Sequence, residues 1–438
     1  MHKTSNYPDV LVKLIDTLVP ADFRSSVTGP LRRYFTGTFV SCMGQGLTLS
    51  LFVVYLHNVR GFSTNFATLL LSAAAFVGIA SSPIWGTFTD RFGPIRVITV
   101  AVIADAASLI LWAHAHSETQ ATVAALLLAL FGGAGWGPSS TLLTRIVPSV
   151  HRQRAFGFNF MLVNLGIGFG GLVSAAIVDL HHPASFVVLY TFNAGITMLG
   201  GLIVLTLWRY GGPIKEHRDD PTLREQGWHE VLRDRRLRRY VLASVVLMIG
   251  GYGSQEAGFS LFVVNNLKLP VHAIGIIFFF NTSTIVCAQL WVLNRIEGKS
   301  RTKVMATVAL FWFVFWVILD AVLALPKVLS VVSLCAAMVV FALGETMLSP
   351  VGPALVNEIA PEHLRGRYNA AAGLSWGVSG TLAPAITALY FNDHLGNWWP
   401  LGTGLTALVG GALMLSLRHL LSASEDGREQ HQSPLAIE

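Results

Sequence analysis

Three carboxylates of this chain sit where carboxylates are costly. Asp105, Glu256 and Glu345 each lie within a long apolar stretch. A charge at the centre of a bilayer costs about 2.5–3.5 kcal/mol even on the lenient insertion scale, so an acid retained there points to function. Asp105 lies eight residues past Val97, which is about 12 Å along a helix. No lysine or arginine lies well inside the same stretches, so none of the three has an evident basic partner. A carboxyl in such surroundings favours its protonated form and can exchange that proton for a cationic ligand. A neutral acid hydrogen-bonded to a neighbouring helix is the plainer alternative. Asp179 and Asp320 lie near segment ends, within reach of water, and rank lower.

Polar and aromatic residues in the same stretches are candidates to line a substrate path: Gln45, Asn164, Gln255, Asn281, Trp136 and Trp376. For each neutral one, helix packing explains its presence equally well. Other chemistry lacks support. No G-x-x-x-x-G-K-[ST] loop is present, Gly251-Tyr252-Gly253 falls inside an apolar stretch, and the three cysteines (Cys42, Cys287, Cys335) have no metal-ligand spacing. Neither cofactor nor metal is expected. An enzyme is disfavoured, because no nucleophile–base pair is visible.

The elements that must position these residues are membrane helices. The chain has 438 residues, 53% hydrophobic and 12% charged, against about 25% charged in a soluble domain. About 20 apolar residues suffice to cross a bilayer as a helix. Twelve such segments are expected, at 34–57, 65–88, 97–116, 120–144, 155–179, 185–208, 240–264, 271–294, 303–325, 327–349, 367–391 and 398–418. The domain organisation that follows is a segment 1–33, a six-helix bundle 34–208, a linker 209–239, a second bundle 240–418 and a polar, disordered tail 419–438. Val10–Val19, which contains Lys13 and Asp16, is expected to lie flat on the membrane or to form a loose tail.

Orientation follows from the basic residues. With the N-terminus inside, all 30 lysines and arginines except Arg60, Lys268 and Lys327 fall on the cytoplasmic side. Both termini are therefore expected in the cytoplasm of a multi-pass protein of the inner, or plasma, membrane. The run Arg233–Arg239 reads as a topology anchor and not as a nucleic-acid patch, despite a pI near 9.3.

The two halves echo each other. Ser50-Leu-Phe-Val-Val54 and Ser260-Leu-Phe-Val-Val264 end the first and seventh segments, and Arg154 and Gly166 correspond to Arg365 and Gly377 at one offset. Between the second and third segments lies a polar island, Gly86-Thr-Phe-Thr-Asp90-Arg91-Phe-Gly93-Pro-Ile-Arg96. Gly93 suits a turn that other residues resist. Asp90 is expected to face the positive start of the next helix, with Arg91 and Arg96 holding the turn at the inner surface.

This G-x-x-x-D-R-x-G-x-x-R pattern resembles the signature of the major facilitator superfamily of secondary transporters. Gly344-Glu345 and Arg365-Gly-Arg-Tyr368 resemble one branch of its bacterial multidrug efflux proteins. Two departures stand out: the fifth segment has glycines (Gly166–Gly171) without the Gly-Pro pair of drug–proton antiporters, and the fourth has no arginine before Arg145. The resemblance implies an all-α membrane protein, with twelve transmembrane helices in two pseudo-symmetric six-helix bundles. It implies alternating access and proton-coupled export of a small amphipathic neutral or cationic compound by a monomer. Gly86, Asp90, Arg91, Gly93 and Arg96 would hold an inner gate. Asp105, Glu256 and Glu345 would be the proton or cation sites, Glu345 towards the cytoplasm and Glu256 towards the outside. Uptake of a nutrient or peptide is the alternative within transport. A non-transporting membrane enzyme or receptor is the alternative outside it.

Overall fold

The computed structural model describes residues 27–48, 51–52, 55–179, 182–213, 227–392 and 396–428. Val10–Val19, residues 214–226 of the linker and the last ten residues lie outside the described ones. Within them every regular element is a helix. The first half of the chain forms α1 (Gly29–Thr48), α2 (Thr64–Phe92), α3 (Pro94–Ala113), α4 (Glu118–Gly132), α5 (Trp136–Ile146), α6 (Arg152–Ile177) and α7 (Ala184–Leu205). The second forms α8 (Trp228–Arg233), α9 (Arg235–Met248), α10 (Ser254–Leu261), α11 (Val271–Ile296), α12 (Arg301–Ala321), α13 (Lys327–Ile359), α14 (Arg365–Asn392) and α15 (Trp399–Leu417).

Local chemistry sets the helix ends. Ser63, Ser117 and Ser300 accept hydrogen bonds from Phe66 N, Gln120 N and Lys303 N at the starts of α2, α4 and α12, each satisfying an amide the helix leaves free. Gly93 ends α2 at φ 86°, a conformation that penalises a side chain. Pro94 then opens α3 at the position where its missing N–H costs nothing.

Three expected segments are interrupted; in 34–57, α1 ends at Thr48 and Leu51 is not helical. Segment 120–144 is broken into α4 and α5 at Gly133–Gly135. Segment 240–264 passes from α9 through a π-helical turn, Ile249–Gly253, into α10. There Gly251 leaves helical geometry at φ −120°, ψ −108°.

Among the described residues, nine helical stretches are long and apolar enough to cross a membrane. The three remaining expected segments are helical but are not among the nine: α1, the interrupted α9–α10 stretch and α14. Large apolar side chains stand exposed along the helices, Phe76, Leu172 and Val328 each by more than 70%, as a lipid-facing belt requires.

The packing partners repeat between the halves. In the first, α3 packs on α7 and α4, and α1 on α7; in the second, α12 packs on α15 and α13, and α9 on α15. The second half is built around Trp312, Phe315, Trp316, Phe341 and Trp399, all at or below 1% exposure. The first is built around Tyr55, Trp112, Phe186 and Tyr190.

The expectation of a disordered tail fails for residues 419–428. Asp426, with no exposed surface, accepts hydrogen bonds from Ser300 Oγ at 2.6 Å and Thr302 N at 2.9 Å. It also pairs with Arg428 at 3.0 Å. The tail carboxylate thus caps the start of α12, where the helix dipole favours negative charge. Glu425 pairs with Arg236 at 2.5 Å.

Candidate functional site

The polar island anchors a contact between the two halves. Asp90, 5% exposed, accepts hydrogen bonds from Gly366 N at 2.6 Å and Arg367 N at 3.1 Å, and its carboxylate lies 3.7 Å from the Arg367 guanidinium. The carboxylate therefore faces a helix start, as expected, but that of α14 in the other half and not that of α3. The reason is local: at the start of α3, Ile95 N is taken by the carbonyl of Gly211 at 3.2 Å.

Gly86 lets the two backbones meet, since a carbon at its Cβ position would lie 2.6 Å from Ala370 Cβ and 2.8 Å from the Gly366 carbonyl. Gly93 packs against Gly211 and Gly212 of the linker. Arg91 and Arg96 are exposed and lie over the rings of Phe92 and Trp208, within their own half. Among the described residues, no hydrogen bond or ion pair joins either of them to the second half.

Contacts that the sequence reading missed reinforce this end of the molecule, where the basic residues collect. Arg154 grips the Glu297 carboxylate with Nε and Nη2 and reaches Asn294 with Nη1. Arg152 pairs with Glu358 at 3.1 Å. Ser140, Asn357 and Asn369 form a buried hydrogen-bonded knot joining α5, α13 and α14, with links of 3.0–3.2 Å. Ala354 of the second half completes an apolar cluster with Leu31, Tyr34 and Leu142 of the first. Asp234 starts α9 by accepting from Arg236 N at 2.8 Å and takes the Tyr368 hydroxyl at 2.7 Å. Burial opposes its charge, but the hydrogen bonds from Arg236 and Tyr368 outweigh that and hold the carboxyl below the usual range.

A second constellation lies midway along the helices of the second half. Glu345, 4% exposed in α13, accepts a hydrogen bond from Asn281 Nδ2 of α11 at 2.5 Å and is hydrogen-bonded to the Tyr252 side chain. Tyr252 sits in the π-helical turn and lies against Trp376 of α14, with ring centroids 4.7 Å apart. Its ring edge meets Trp312 and Phe341. Glu256, one turn beyond Tyr252, is exposed and within electrostatic reach of Glu345. Tyr252, in the π-helical turn, lies within electrostatic reach of both acids.

The structure thus brings together Glu345, Asn281, Trp376 and Glu256. Asp105 is half-buried in α3. Asn164 returns its amide to the Phe160 carbonyl of its own helix at 3.0 Å. Gln45 and Trp136 are exposed, and Gln255 is buried in α10. Tyr252 was the residue missed. Its signal was present in Gly251-Tyr252-Gly253, a pair of flexible residues flanking a hydroxyl in a helix that had no evident need of them.

Comparison with known proteins places this geometry. A family model described as the Major Facilitator Superfamily matches residues 34–384 and 258–436. A "Na(+), Li(+), K(+)/H(+) antiporter" of Planococcus maritimus is 22% identical over 388 residues, covering 82% of this chain and 89% of the antiporter. The quinolone resistance protein NorA of Staphylococcus aureus is 24% identical over 148 residues, 34% of this chain and 38% of NorA. Among solved structures, a bacterial homologue of the iron transporter ferroportin in an outward-facing state superposes with a TM-score of 0.73 at 10% identity. That match covers 90% of this chain and 100% of the other.

Proposed function

Because the chain belongs to the Major Facilitator Superfamily, we propose that this multi-pass membrane transporter exports a small amphipathic neutral or cationic compound in exchange for protons. Twelve crossings in two pseudo-symmetric six-helix bundles would rock about the cluster at Glu345. The observation that carries this reading is Glu345 itself. It is a nearly fully buried acid, held by Asn281 and the Tyr252 side chain, with no cationic side chain among its partners in the described residues, and Tyr252 in turn lies against the half-exposed ring of Trp376. An acid so placed can hold a proton or a ligand's positive charge, but not both, and that exclusion couples the two flows. The aromatic wall suits an apolar or cationic body.

In this reading the basic end is cytoplasmic, and the contacts of Asp90, Arg152 and Arg154 seal it, leaving the path open to the outside. The outward-facing state of the ferroportin homologue supports that assignment. A cysteine placed at Glu230 should resist an impermeant maleimide applied to intact cells and react after permeabilisation. Labelling of intact cells would reverse the orientation.

Everted membrane vesicles test the transport itself. With an acid interior, ethidium should accumulate in vesicles containing the protein and leave when a protonophore is added. The antiporter relative favours a second reading, exchange of an alkali cation for protons. That reading is adopted if ethidium stays outside while added Na⁺ or K⁺ dissipates the pH gradient. Compound export is rejected if ethidium distribution ignores the gradient.

A further inference from the structure

The basic end contains a cavity of about 640 Å³ that the transport reading does not use. It lies between the halves, lined by Arg145 and Arg152 from the first, Arg209 and Tyr210 beyond α7, and Glu362 and Arg365 from the second. Its size is that of a small-molecule site. Four guanidinium groups surround it, against the single carboxylate of Glu362 in its wall.

Partners already present offset only part of this charge. Arg152 holds Glu358 at 3.1 Å, Arg365 lies 3.6 Å from Glu362, and Arg145 donates to the Gly212 carbonyl at 2.5 Å. Among the described residues, the Nε atoms of Arg145, Arg152 and Arg365 are buried without hydrogen-bond partners. Arg365 also feels the like charges of Arg152 and Arg145. Buried donors without acceptors are expensive, and clustered like charges add to that cost. A ligand carrying several anionic oxygens would relieve both, since arginine's fork of donors matches a phosphate group.

We propose that this cavity binds a phosphate-bearing anion, and that the anion ties the two halves together by joining Arg145, Arg152 and Arg209 on one side to Arg365 on the other. The phosphate could belong to a lipid headgroup or to a soluble molecule, and the test separates the two. The purified full-length protein is placed in nanodiscs of phosphatidylcholine alone and titrated with inorganic pyrophosphate at constant ionic strength. A second set of discs contains phosphatidylcholine with increasing phosphatidylglycerol. Thermal unfolding followed by tryptophan fluorescence reads binding in both.

One of the two additions should raise the unfolding midpoint and saturate. Arg209→Gln, at an exposed position outside the helix bundle, and Arg365→Gln should each weaken the apparent affinity about tenfold, the scale of one charge-assisted hydrogen bond. Saturation by pyrophosphate identifies a soluble ligand; saturation only by phosphatidylglycerol identifies a lipid. If neither addition saturates, or if Arg209→Gln binds as the unaltered protein does, the site is refuted. Binding is read without transport, so this result stands apart from the identity of the exported compound.

Discussion

Replacing Glu345 by glutamine should abolish uphill transport while leaving the protein folded and able to bind its substrate. The amide keeps the size of the side chain and can still accept the hydrogen bond from Asn281 Nδ2, 2.5 Å away in the unaltered protein. It cannot take up or release a proton. In the everted vesicles, gradient-driven accumulation of ethidium should fall on the order of 100-fold, the scale of losing a positioned acid–base group. Downhill equilibration of preloaded ethidium and its binding to detergent-purified protein should persist. Glu256→Gln should have the smaller effect, because Glu256 is exposed and acts on Glu345 only through space. Tyr252→Phe separates the roles further: losing its hydroxyl removes a hydrogen-bonding partner of Glu345 but keeps the ring against Trp376. If both amide variants concentrate ethidium as well as the unaltered protein, neither acid couples transport, and Asp105 becomes the group to test.

Asp90→Asn should open the basic end. The carboxylate caps two amides at the start of α14 and faces Arg367 across the boundary between the halves. The amide retains at most one good acceptor and loses the charge that the helix start favours, an effect of about 1–2 kcal/mol in partly buried geometry. The closed-to-open ratio at that end should therefore fall roughly five- to thirtyfold. Spin labels at Val150 and Lys299, exposed and one in each half, would report this as a second, longer distance in pulsed dipolar spectra. Transport should slow while the amount of protein in the membrane holds. An unchanged distance distribution, together with unchanged kinetics, would reduce Asp90 to a structural cap.

These two residues also show what was legible in advance and what was not. The acidity of Glu345 within an apolar stretch can be read from order along the chain, because its cost depends only on depth in the bilayer. Its partners cannot, because Asn281 and Tyr252 lie on other helices and meet it only after those helices pack. Asp90 was legible as a carboxylate seeking a helix start. The start it finds is 276 positions away at Gly366, and no local pattern announces that choice. Asp426 repeats the lesson in reverse. A polar tail reads as solvated, yet its carboxylate is buried because Ser300 and Thr302 offer donors at the start of α12.

The sequence by itself determined that the chain is helical, apolar and asymmetric in charge, and that it carries the polar island of its family. Those properties depend on the length of apolar runs, on where lysine and arginine fall, and on glycine and proline at turns. Tertiary structure decided the rest. It turned Asp90 towards α14, set Arg154 against Glu297, joined Asn281 to Glu345, and gathered Arg145, Arg152, Arg209 and Arg365 around one cavity. Each of these is a contact between segments far apart in the chain. Its energy arises only when helix packing removes water from both partners, and that depends on the arrangement of the helices in space.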